Sequence, residues 1–389
     1  MTTQTGPLIQ TQVPESFCNL ATGQPSPRLL PMELLAYAAS RRLRPDTDRL
    51  LLQYATCAGG EHFREGLAAF LTQEFQARVT ADTLMISNGI SGALAIIFGT
   101  FSGQNRLVVS EDPTYFLARD VFTSSGAEVV GVPVDAEGLQ VEVLEHRLRH
   151  EGLRPSMLYT IPTHQNPTSV CMSEPRRRRL IELAQEFNFL IVADEPYNFL
   201  AFNQEIIKPF AALDEGRGRV ISLGSFSKLF GPALRLGWVH AAPHLLAKIA
   251  QHGVLSSGGG VNPVMAEIVL ETLVDGSLST HIKTLQQVLG ARRTVLVESL
   301  QTYIPEMQFV TPQGGYFLWA KLPEGIKATE LWSTGQQHAL SFMPGTRCAL
   351  GGGHQDRARL SFSFYEADEI PSRIQRFAKV IEAHRQQGT

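Results

Sequence analysis

The sequence has few cysteines, and they lie far apart. Four occur among 389 residues, at Cys18, Cys57, Cys171 and Cys348, without a CxxC pair or the spacing of a zinc site. This distribution argues against a disulfide-bonded scaffold and a zinc-binding module. It is typical of free thiols in a reducing compartment, so we expect a cytoplasmic protein.

Long apolar runs and an excess of charge are also missing. No apolar stretch approaches the roughly 20 residues that a membrane-spanning helix needs. The opening MTTQTGPLIQ has no basic segment followed by an apolar one, so it predicts no secretory signal. The 34 basic and 37 acidic side chains leave a net charge of −3. This charge neither indicates a nucleic-acid-binding surface nor excludes a local basic patch, and we expect no nucleic-acid or membrane partner.

Short apolar runs alternate with helical stretches through the middle of the sequence. In residues 173–187 the apolar side chains fall on one helical face, with Ser173 as the predicted N-cap. The runs are short and often rich in β-branched residues, which favours strands buried on both faces. They cover residues 83–86, 106–109, 128–134, 157–161, 189–193, 219–223 and 234–239. The alternation predicts a mostly parallel sheet covered by helices on both sides.

The two ends of the sequence differ from the middle. Residues 1–45 are rich in proline. Beyond a long helical stretch, new strand-like pieces occur at residues 308–310, 316–320 and 358–362. We therefore predict a large domain over residues 46–285 and a smaller domain built from residues 1–45 and 286–389.

The strongest local signal is a lysine just after a predicted strand, in the sequence SFSKLFGPALRLGW of residues 225–238. Burial favours the neutral amine of Lys228, which is the form that condenses with an aldehyde. Ser225 and Ser227 precede this lysine, and Arg235 follows it. Together these side chains have the donors to hold a phosphate group.

Four further polar clusters each follow a predicted strand. Residues 87–94 run from a strand into a helix, whose free N–H groups and dipole favour an anion. Residues 112–115 (DPTY) add an aromatic ring, residues 164–168 (HQNPT) an amide, and residues 194–197 (DEPY) a carboxylate and a phenol. Because α/β folds bind ligands at the carboxyl ends of their strands, we expect the clusters to meet in one site.

In this order the clusters resemble the fold-type I pyridoxal-phosphate enzymes, specifically the class I and II aminotransferases. The branch that looks most similar contains the aminoadipate and aromatic aminotransferases, in which Gln precedes the Asn-Pro-Thr motif, as Gln165 does here. The resemblance covers nearly the whole chain, from Gly23 to Ser363. It implies an α/β fold whose large domain has a mostly parallel seven-stranded sheet between helices, plus a smaller α+β domain. It also implies pyridoxal 5′-phosphate (PLP) as cofactor, no metal, and a homodimer.

The resemblance further implies the catalytic residues Lys228, Asp194 and Tyr197. Lys228 would form the aldimine with the cofactor and then move the α-proton of the substrate. Asp194 would pair with the pyridine nitrogen and keep it protonated. Asn166 and Tyr197 would hydrogen-bond the phenolic oxygen of the ring, and Tyr115 would stack on the ring face. The Asn166–Pro167 bond is a candidate cis peptide.

The remaining implied roles concern the phosphate and the substrate. The phosphate would be held by the backbone and side chains of Gly89, Ile90, Ser91, Ser225 and Arg235. Tyr54 would reach it from the partner subunit of the homodimer. Arg359 would bind the α-carboxylate of the substrate with its planar guanidinium, and Gly23 and Asn166 would line the same place.

The implied reaction moves the amino group of an L-amino acid to a 2-oxo acid. Departures from the usual motifs, such as Ser169 after Asn-Pro-Thr, keep a second reaction open. That alternative is a PLP-dependent cyclase, lyase or deaminase, similar to capreomycidine synthase and acting on an arginine-type amino acid. A ligand-sensing domain of a transcriptional regulator is disfavoured, because the sequence before Gly23 is too short for a DNA-binding module.

A run of four arginines at residues 176–179 falls at the start of a predicted amphipathic helix. A charge run in such a helix is typical of a solvated face. His146 and His150 have the spacing of a two-histidine metal site, but no third ligand is indicated, so we expect surface histidines.

Overall fold

The computed structural model of the chain describes residues 16–387. The prediction made for MTTQTGPLIQ and the outermost parts of the predicted small domain lie outside these residues. The strands are β1 (Cys18–Asn19), β2 (Leu84–Ser87), β3 (Leu107–Asp112), β4 (Glu128–Asp135), β5 (Gly138–Leu139), β6 (Met157–Thr160), β7 (Leu190–Asp194), β8 (Val220–Ser225), β9 (Gly237–Ala241), β10 (Gln308–Phe309), β11 (Phe317–Lys321), β12 (Leu340–Ser341), β13 (Met343–Pro344) and β14 (Arg357–Ser361).

Helices occur throughout the described residues, from Met32 to Gln387. They are α1 (Met32–Arg42), α2 (Glu61–Phe75), α3 (Ile90–Phe101), α4 (Phe116–Ser124), α5 (Val141–His150), α6 (Glu174–Phe187), α7 (Phe210–Leu213), α8 (Pro243–Ile249), α9 (Gly253–Ser256), α10 (Pro263–Val274), α11 (Ser277–Tyr303), α12 (Ala328–Gln337), α13 (Gly345–Cys348) and α14 (Ile370–Gln387). Within residues 16–387, no helix has the length and apolar character needed to cross a lipid bilayer.

An eight-stranded sheet forms the centre of the fold, with the strand order β2-β9-β8-β7-β6-β3-β4-β5. Five of its strands form a parallel set, in the order β8, β7, β6, β3 and β4. Strand β9 is antiparallel to β2 and β8, and β5 is antiparallel to β4. All seven predicted strands lie in this sheet, so the mostly parallel arrangement is confirmed. The eighth strand, β5, has two residues and is too short to produce an apolar run in the sequence.

Both faces of this sheet are apolar. Side chains alternate between the two faces along each strand, and here apolar residues occupy both sets of positions. One face packs on α3, α4 and α8, and its buried strand residues include Val108, Met157, Val192 and Ile221. The other face packs on α5 and α6, and its buried strand residues include Val109, Leu158, Ile191 and Val220. Burial of each such side chain contributes roughly 1.5–3 kcal/mol, which explains the nearly continuous apolar runs.

A second, four-stranded antiparallel sheet with the order β10-β11-β14-β13 lies in the C-terminal part of the chain. Strand β1 joins this part of the chain, because it pairs in parallel with β12. Helix α1 instead packs on α10, where the guanidinium groups of Arg41 and Arg42 both contact the carboxylate of Glu271. The division of the chain at residues 46 and 285 therefore stays a prediction.

Four parallel strands end at the same edge of the central sheet. Their last residues are Asp112 of β3, Thr160 of β6, Asp194 of β7 and Ser225 of β8. The loops that follow these strands carry four of the five predicted polar clusters. The fifth, at residues 87–94, follows β2, which ends at the same edge of the sheet, because Ser87 and Ser225 both lie opposite Gly237. Two of these loops contain cis peptide bonds, at Asn166–Pro167 as predicted and at Asp112–Pro113.

Candidate active site

Lys228 lies in the loop between β8 and β9, at the carboxyl edge of the parallel strands. Its Nζ donates a hydrogen bond of 2.7 Å to the carbonyl oxygen of Gly23 and lies 5.3 Å from the ring centre of Tyr316. The pKa of Lys228 is lowered from 10.5 to about 8, mainly by burial and also by the charge of Arg359, whereas the Asp194 carboxylate acts to raise it. The amine is therefore more often neutral than in an ordinary lysine, as the sequence indicates.

Asp194 is the last residue of β7, and its side chain is buried. Its Oδ2 accepts a hydrogen bond of 2.7 Å from the hydroxyl of Tyr159, whereas Oδ1 has no hydrogen-bond partner within residues 16–387. Burial raises the pKa of Asp194 to about 7, although the Tyr159 hydrogen bond lowers it. A buried carboxylate oxygen without a partner is costly unless a ligand satisfies it. The protonated ring nitrogen of PLP fits this need.

Arg359 reaches the same site from β14, and its side chain is buried. One guanidinium nitrogen donates to Oδ1 of Asn166 at 2.8 Å, and a second donates to the carbonyl oxygen of Ala21 at 2.7 Å. The guanidinium carbon lies 3.9 Å from the ring centre of Phe317. The predicted carboxylate-binding arginine and the predicted cofactor-binding amide are thus in direct contact.

Aromatic rings lie around these polar groups. The ring of Tyr197 is buried, with its centre 5.5 Å from that of Tyr316 and 6.3 Å from that of Phe317. Tyr115 immediately precedes α4 and is partly exposed. Burial raises the pKa of Tyr115 to about 12 and that of Tyr197 well above its usual range. Both hydroxyls therefore stay protonated at neutral pH and can donate hydrogen bonds.

The amino terminus of α3 forms an anion-binding corner with Arg235. Gly89, the residue before the helix, has a φ of +78°, which favours glycine. A Cβ atom on Gly89 would lie 2.6 Å from Nη2 of Arg235, and this nitrogen donates to the carbonyl oxygen of Asn88 at 3.1 Å. The guanidinium is therefore beside the free N–H groups of the helix, where the helix dipole also favours a phosphate.

Two further predicted phosphate-binding serines occupy different surroundings. Ser225 is buried, and its hydroxyl accepts a hydrogen bond of 3.0 Å from the backbone N–H of Ser227. Ser91, in the first turn of α3, is exposed and follows Ile90. Their positions, at the end of β8 and the start of α3, are compatible with the predicted role.

Tyr54 is separate from this group of residues. Its side chain is 85% exposed, and a Cβ atom on Gly258 would lie 2.5 Å from its ring. This approach to Gly258 does not bring Tyr54 into contact with Lys228, Asp194 or Arg235. Its predicted role therefore depends on a second subunit.

Sequence reasoning missed Tyr159 and a buried network around Glu111. The carboxylate of Glu111 accepts hydrogen bonds from the hydroxyl of Thr160, the N–H of Ile161 at 3.1 Å and the side-chain amide of Gln165 at 3.0 Å. The same amide donates to the carbonyl oxygen of Pro113 at 2.8 Å. Burial raises the pKa of Glu111 to about 7. The network connects the loop that carries Asn166 to the loop after β3. In the sequence, it was indicated only by polar residues at the ends of two predicted strands.

The prediction that the whole arginine run at residues 176–179 is solvated is wrong for Arg177. It is buried, and it donates to the carbonyl oxygens of Pro162 and Met172 at 2.8 and 3.0 Å and to the hydroxyl of Thr163 at 3.1 Å. The spacing to Leu180 and Ala184 places it on the inner face of α6. It thereby braces the loop that carries Asn166.

Comparison with known proteins identifies the family. Residues 16–377 match the family described as aminotransferase class I and II. The aromatic-amino-acid aminotransferase 1 of Thermococcus litoralis is 34% identical over 370 residues, which cover 94% of this chain and 88% of the relative. The 2-aminoadipate transaminase of Thermus thermophilus is 29% identical, over 94% of this chain and 90% of the relative.

A solved structure supports the same conclusion. The kynurenine aminotransferase of Pyrococcus horikoshii, in complex with pyridoxamine phosphate (PMP), superposes with a TM-score of 0.87 at 31% identity, covering 95% of this chain and 91% of that one. These relatives support transamination, and they lend no support to the cyclase or lyase alternative. The chain belongs to the class I and II aminotransferase family and is a PLP-dependent aminotransferase of fold type I.

Proposed function

We propose that this aminotransferase uses Lys228 and Asp194 to transfer the amino group of an L-amino acid to a 2-oxo acid, with aromatic amino acids as its preferred donors. The observation that carries the proposal is that Lys228, whose pKa is about 8, lies within electrostatic reach of the buried Asp194, whose Oδ1 has no hydrogen-bond partner among residues 16–387. When bound, PLP supplies the aldehyde that takes up the amino group and a conjugated ring that accepts electrons from the Cα–H bond.

Asp194, Asn166, Tyr197 and Tyr115 would hold the cofactor ring. Oδ1 of Asp194 is the acceptor for the protonated pyridine nitrogen. The protonated phenol of Tyr197 and the side-chain amide of Asn166 are the donors for the phenolic oxygen. The ring of Tyr115, partly exposed before α4, is available for stacking.

The phosphate would be held at the amino terminus of α3. Positive charge from Arg235 and the helix dipole act there together, because the guanidinium lies against Gly89. The proposed phosphate-binding residues are Gly89, Ile90, Ser91, Ser225 and Arg235.

Arg359 would bind the α-carboxylate of the amino acid, with Asn166 and Gly23 beside it. The hydrogen bonds of Arg359 to Asn166 and Ala21 hold its guanidinium in one orientation. The Nζ atom of Lys228 is the base that would take the α-proton. A pKa near 8 suits this task, because a base works best when its pKa is close to the working pH.

Aromatic donors are proposed because two of the relatives are named for aromatic substrates and because this site is rich in rings. Those relatives are the aromatic-amino-acid and the kynurenine aminotransferases. In this chain, Tyr115, Tyr197, Tyr316 and Phe317 lie close to the proposed reacting groups. Ring-on-ring contacts contribute roughly 0.5–1.5 kcal/mol beyond the burial of apolar area.

We also propose a homodimer in which Tyr54 reaches the phosphate of the partner subunit. Leu50, Leu52 and Tyr54 support this arrangement, since they expose 71%, 78% and 85% of their surface in the single chain. Large apolar side chains exposed together are typical of an interface. Mixing Tyr54→Ala protein with Lys228→Ala protein tests it. Partial recovery of activity in the mixture is expected, because hybrid dimers contain one intact site, and no recovery would contradict the shared site.

The division into domains completes the proposal. Residues 46–285 would form the large domain, and residues 1–45 with 286–389 the small one. The pairing of β1 with β12 supports the joining of both ends of the chain. We expect limited proteolysis to cut between α1 and α2, near residue 46, and to spare residue 285, which lies inside the continuous helix α11.

The function itself is tested by an absorbance titration of the PLP-loaded enzyme with single amino acids and no acceptor. We expect the PLP band to be lost as PMP forms, most readily with aromatic donors. Lys228→Ala should abolish both this change and turnover. Lys327→Ala, at an exposed lysine paired with Glu330, is the matched control and should behave as the wild type. An active Lys228→Ala enzyme would refute the assignment.

A further inference from the structure

Tyr159 lies on β6, on the same face of the central sheet as Asp194. In the parallel register of β6 and β7, Tyr159 is opposite Val192. Side chains two residues apart on a strand share a face, so Tyr159 and Asp194 are diagonal neighbours. A diagonal neighbour is within reach of a long aromatic side chain.

The hydroxyl of Tyr159 makes a short hydrogen bond at a buried position. It donates to Oδ2 of Asp194 at 2.7 Å, and the residue is only 1% exposed. The ring packs edge-on against Phe122, with the centres 5.6 Å apart, within the apolar cluster that includes Val192 and Ile221. The contact with Phe122 and the hydrogen bond to Asp194 together fix the direction in which the hydroxyl points.

We propose that Tyr159 is a positioning residue for the cofactor: its hydroxyl holds Oδ2 of Asp194 and leaves Oδ1 as the oxygen for the ring nitrogen of PLP. The inference rests on the proposed role of Asp194. The terminal torsion of an aspartate is soft, so a buried carboxylate needs a fixed donor to keep one orientation. A hydrogen bond to an ionised group is also about twice as strong as a neutral one, so it favours the charged form of the carboxylate.

Packing alone gives no reason for a tyrosine at this position. Its ring packs on Phe122 and lies opposite Val192 of β7 and Ser110 of β3. The hydroxyl of Ser110 donates to Thr114 at 3.0 Å, and a phenylalanine ring would fill the same space as the ring of Tyr159. Burying a hydroxyl among such neighbours is unfavourable unless it finds a partner. Asp194 is that partner, so the role of the hydroxyl is to bind and orient the carboxylate.

The test compares two cofactors in the Tyr159→Phe apoprotein. One is PLP, and the other is 1-deaza-PLP, in which a CH group replaces the ring nitrogen. Equilibrium dissociation constants are measured by absorbance titration at neutral pH. We expect Tyr159→Phe to weaken PLP binding by about tenfold or more, as for a lost charge-assisted hydrogen bond. Binding of 1-deaza-PLP should stay the same as in the wild type, because that analogue has no nitrogen for Asp194 to bind.

Two further variants make the result specific. Tyr365→Phe removes another buried hydroxyl, which accepts a hydrogen bond from the backbone N–H of Asn19 at 2.8 Å, and it should leave both affinities unchanged. In an Asp194→Asn background, Tyr159→Phe should have no further effect on PLP. If Tyr159→Phe does not fold, Tyr159→Met provides the same comparison with a flexible apolar side chain.

Each contrary outcome has a distinct meaning. Equal weakening of both cofactors would show that Tyr159 has only a structural role and would overturn the inference. Unchanged binding of PLP would also overturn it. A wild-type protein that binds both cofactors equally would refute the proposed contact of Asp194 with the ring nitrogen, and the inference with it.

Discussion

The lowered pKa of Lys228 leads to a prediction that can be measured without turnover. A fall of this pKa from 10.5 to about 8 increases the neutral fraction of the amine at pH 7 about 300-fold, because each pKa unit is a factor of ten. We expect the apoprotein to combine with PLP at a rate that rises with pH and levels off above a midpoint near 8. The rate is followed by stopped-flow absorbance from about pH 6 to 10.

Two substitutions should move this midpoint in opposite directions. Arg359→Gln removes a positive charge that lowers the pKa of Lys228, so the midpoint should rise. Asp194→Asn removes a negative charge that raises this pKa, so the midpoint should fall. Arg357→Gln, two residues from Arg359 on β14 and paired with Asp356, is the matched control and should leave the midpoint unchanged.

The titration of PLP itself is the same in every variant, so differences between variants report on the protein. A wild-type midpoint near 10 would refute the reasoning that burial favours the neutral amine. Midpoints that move in the same direction in Arg359→Gln and Asp194→Asn would refute the assignment of the two charges.

Two other substitutions test the phosphate corner and the loop that carries Asn166. Gly89→Ala should weaken PLP binding in equilibrium dialysis, because its Cβ atom would meet Arg235 at 2.6 Å and φ is +78°. Gly92→Ala, whose Cβ atom would meet only Asn88 at 3.8 Å, should bind normally, and equal losses would contradict the reasoning. Arg177→Ala should lower the unfolding midpoint by about 5 °C or more, because three buried acceptors lose their donor. The exposed Arg178→Ala should change it by about 1 °C or less, and similar shifts would show that Arg177 is not a brace.

Much of the fold could be predicted because its signals are local. The seven apolar runs between 83 and 239 became strands of one sheet, since the runs have the length of strands and most have the apolar character of a strand buried on both faces. The strand-like pieces at residues 308–310, 316–320 and 358–362 also became strands, namely β10, β11 and β14. Strand β5 was not predicted, because its two residues, Gly138 and Leu139, do not form an apolar run. The prediction that Arg177 is solvated was wrong, because it relied on the charge of the side chain and neglected its helical spacing.

The candidate site could be predicted in part. Lys228, Asp194, Asn166 and Arg359 were found from their types and their order along the chain. Tyr159 was missed because its function lies in a hydrogen bond to a residue 35 positions away, and that contact depends on the register between β6 and β7. Glu111 and Gln165 were missed as a pair for the same reason, since 54 residues separate them.

The sequence by itself determined the alternation of strands and helices, the family, and the kinds of side chain that reach the edge of the sheet. These properties depend on residue type, short-range spacing and order, all of which can be read along the chain. Only the tertiary structure decided that Lys228 contacts the carbonyl of Gly23, 205 residues away, and that Oδ1 of Asp194 has no hydrogen-bond partner in the part of the chain that the structure describes. The pKa values of both groups follow from such long-range contacts and from burial, because desolvation and nearby charge act through space.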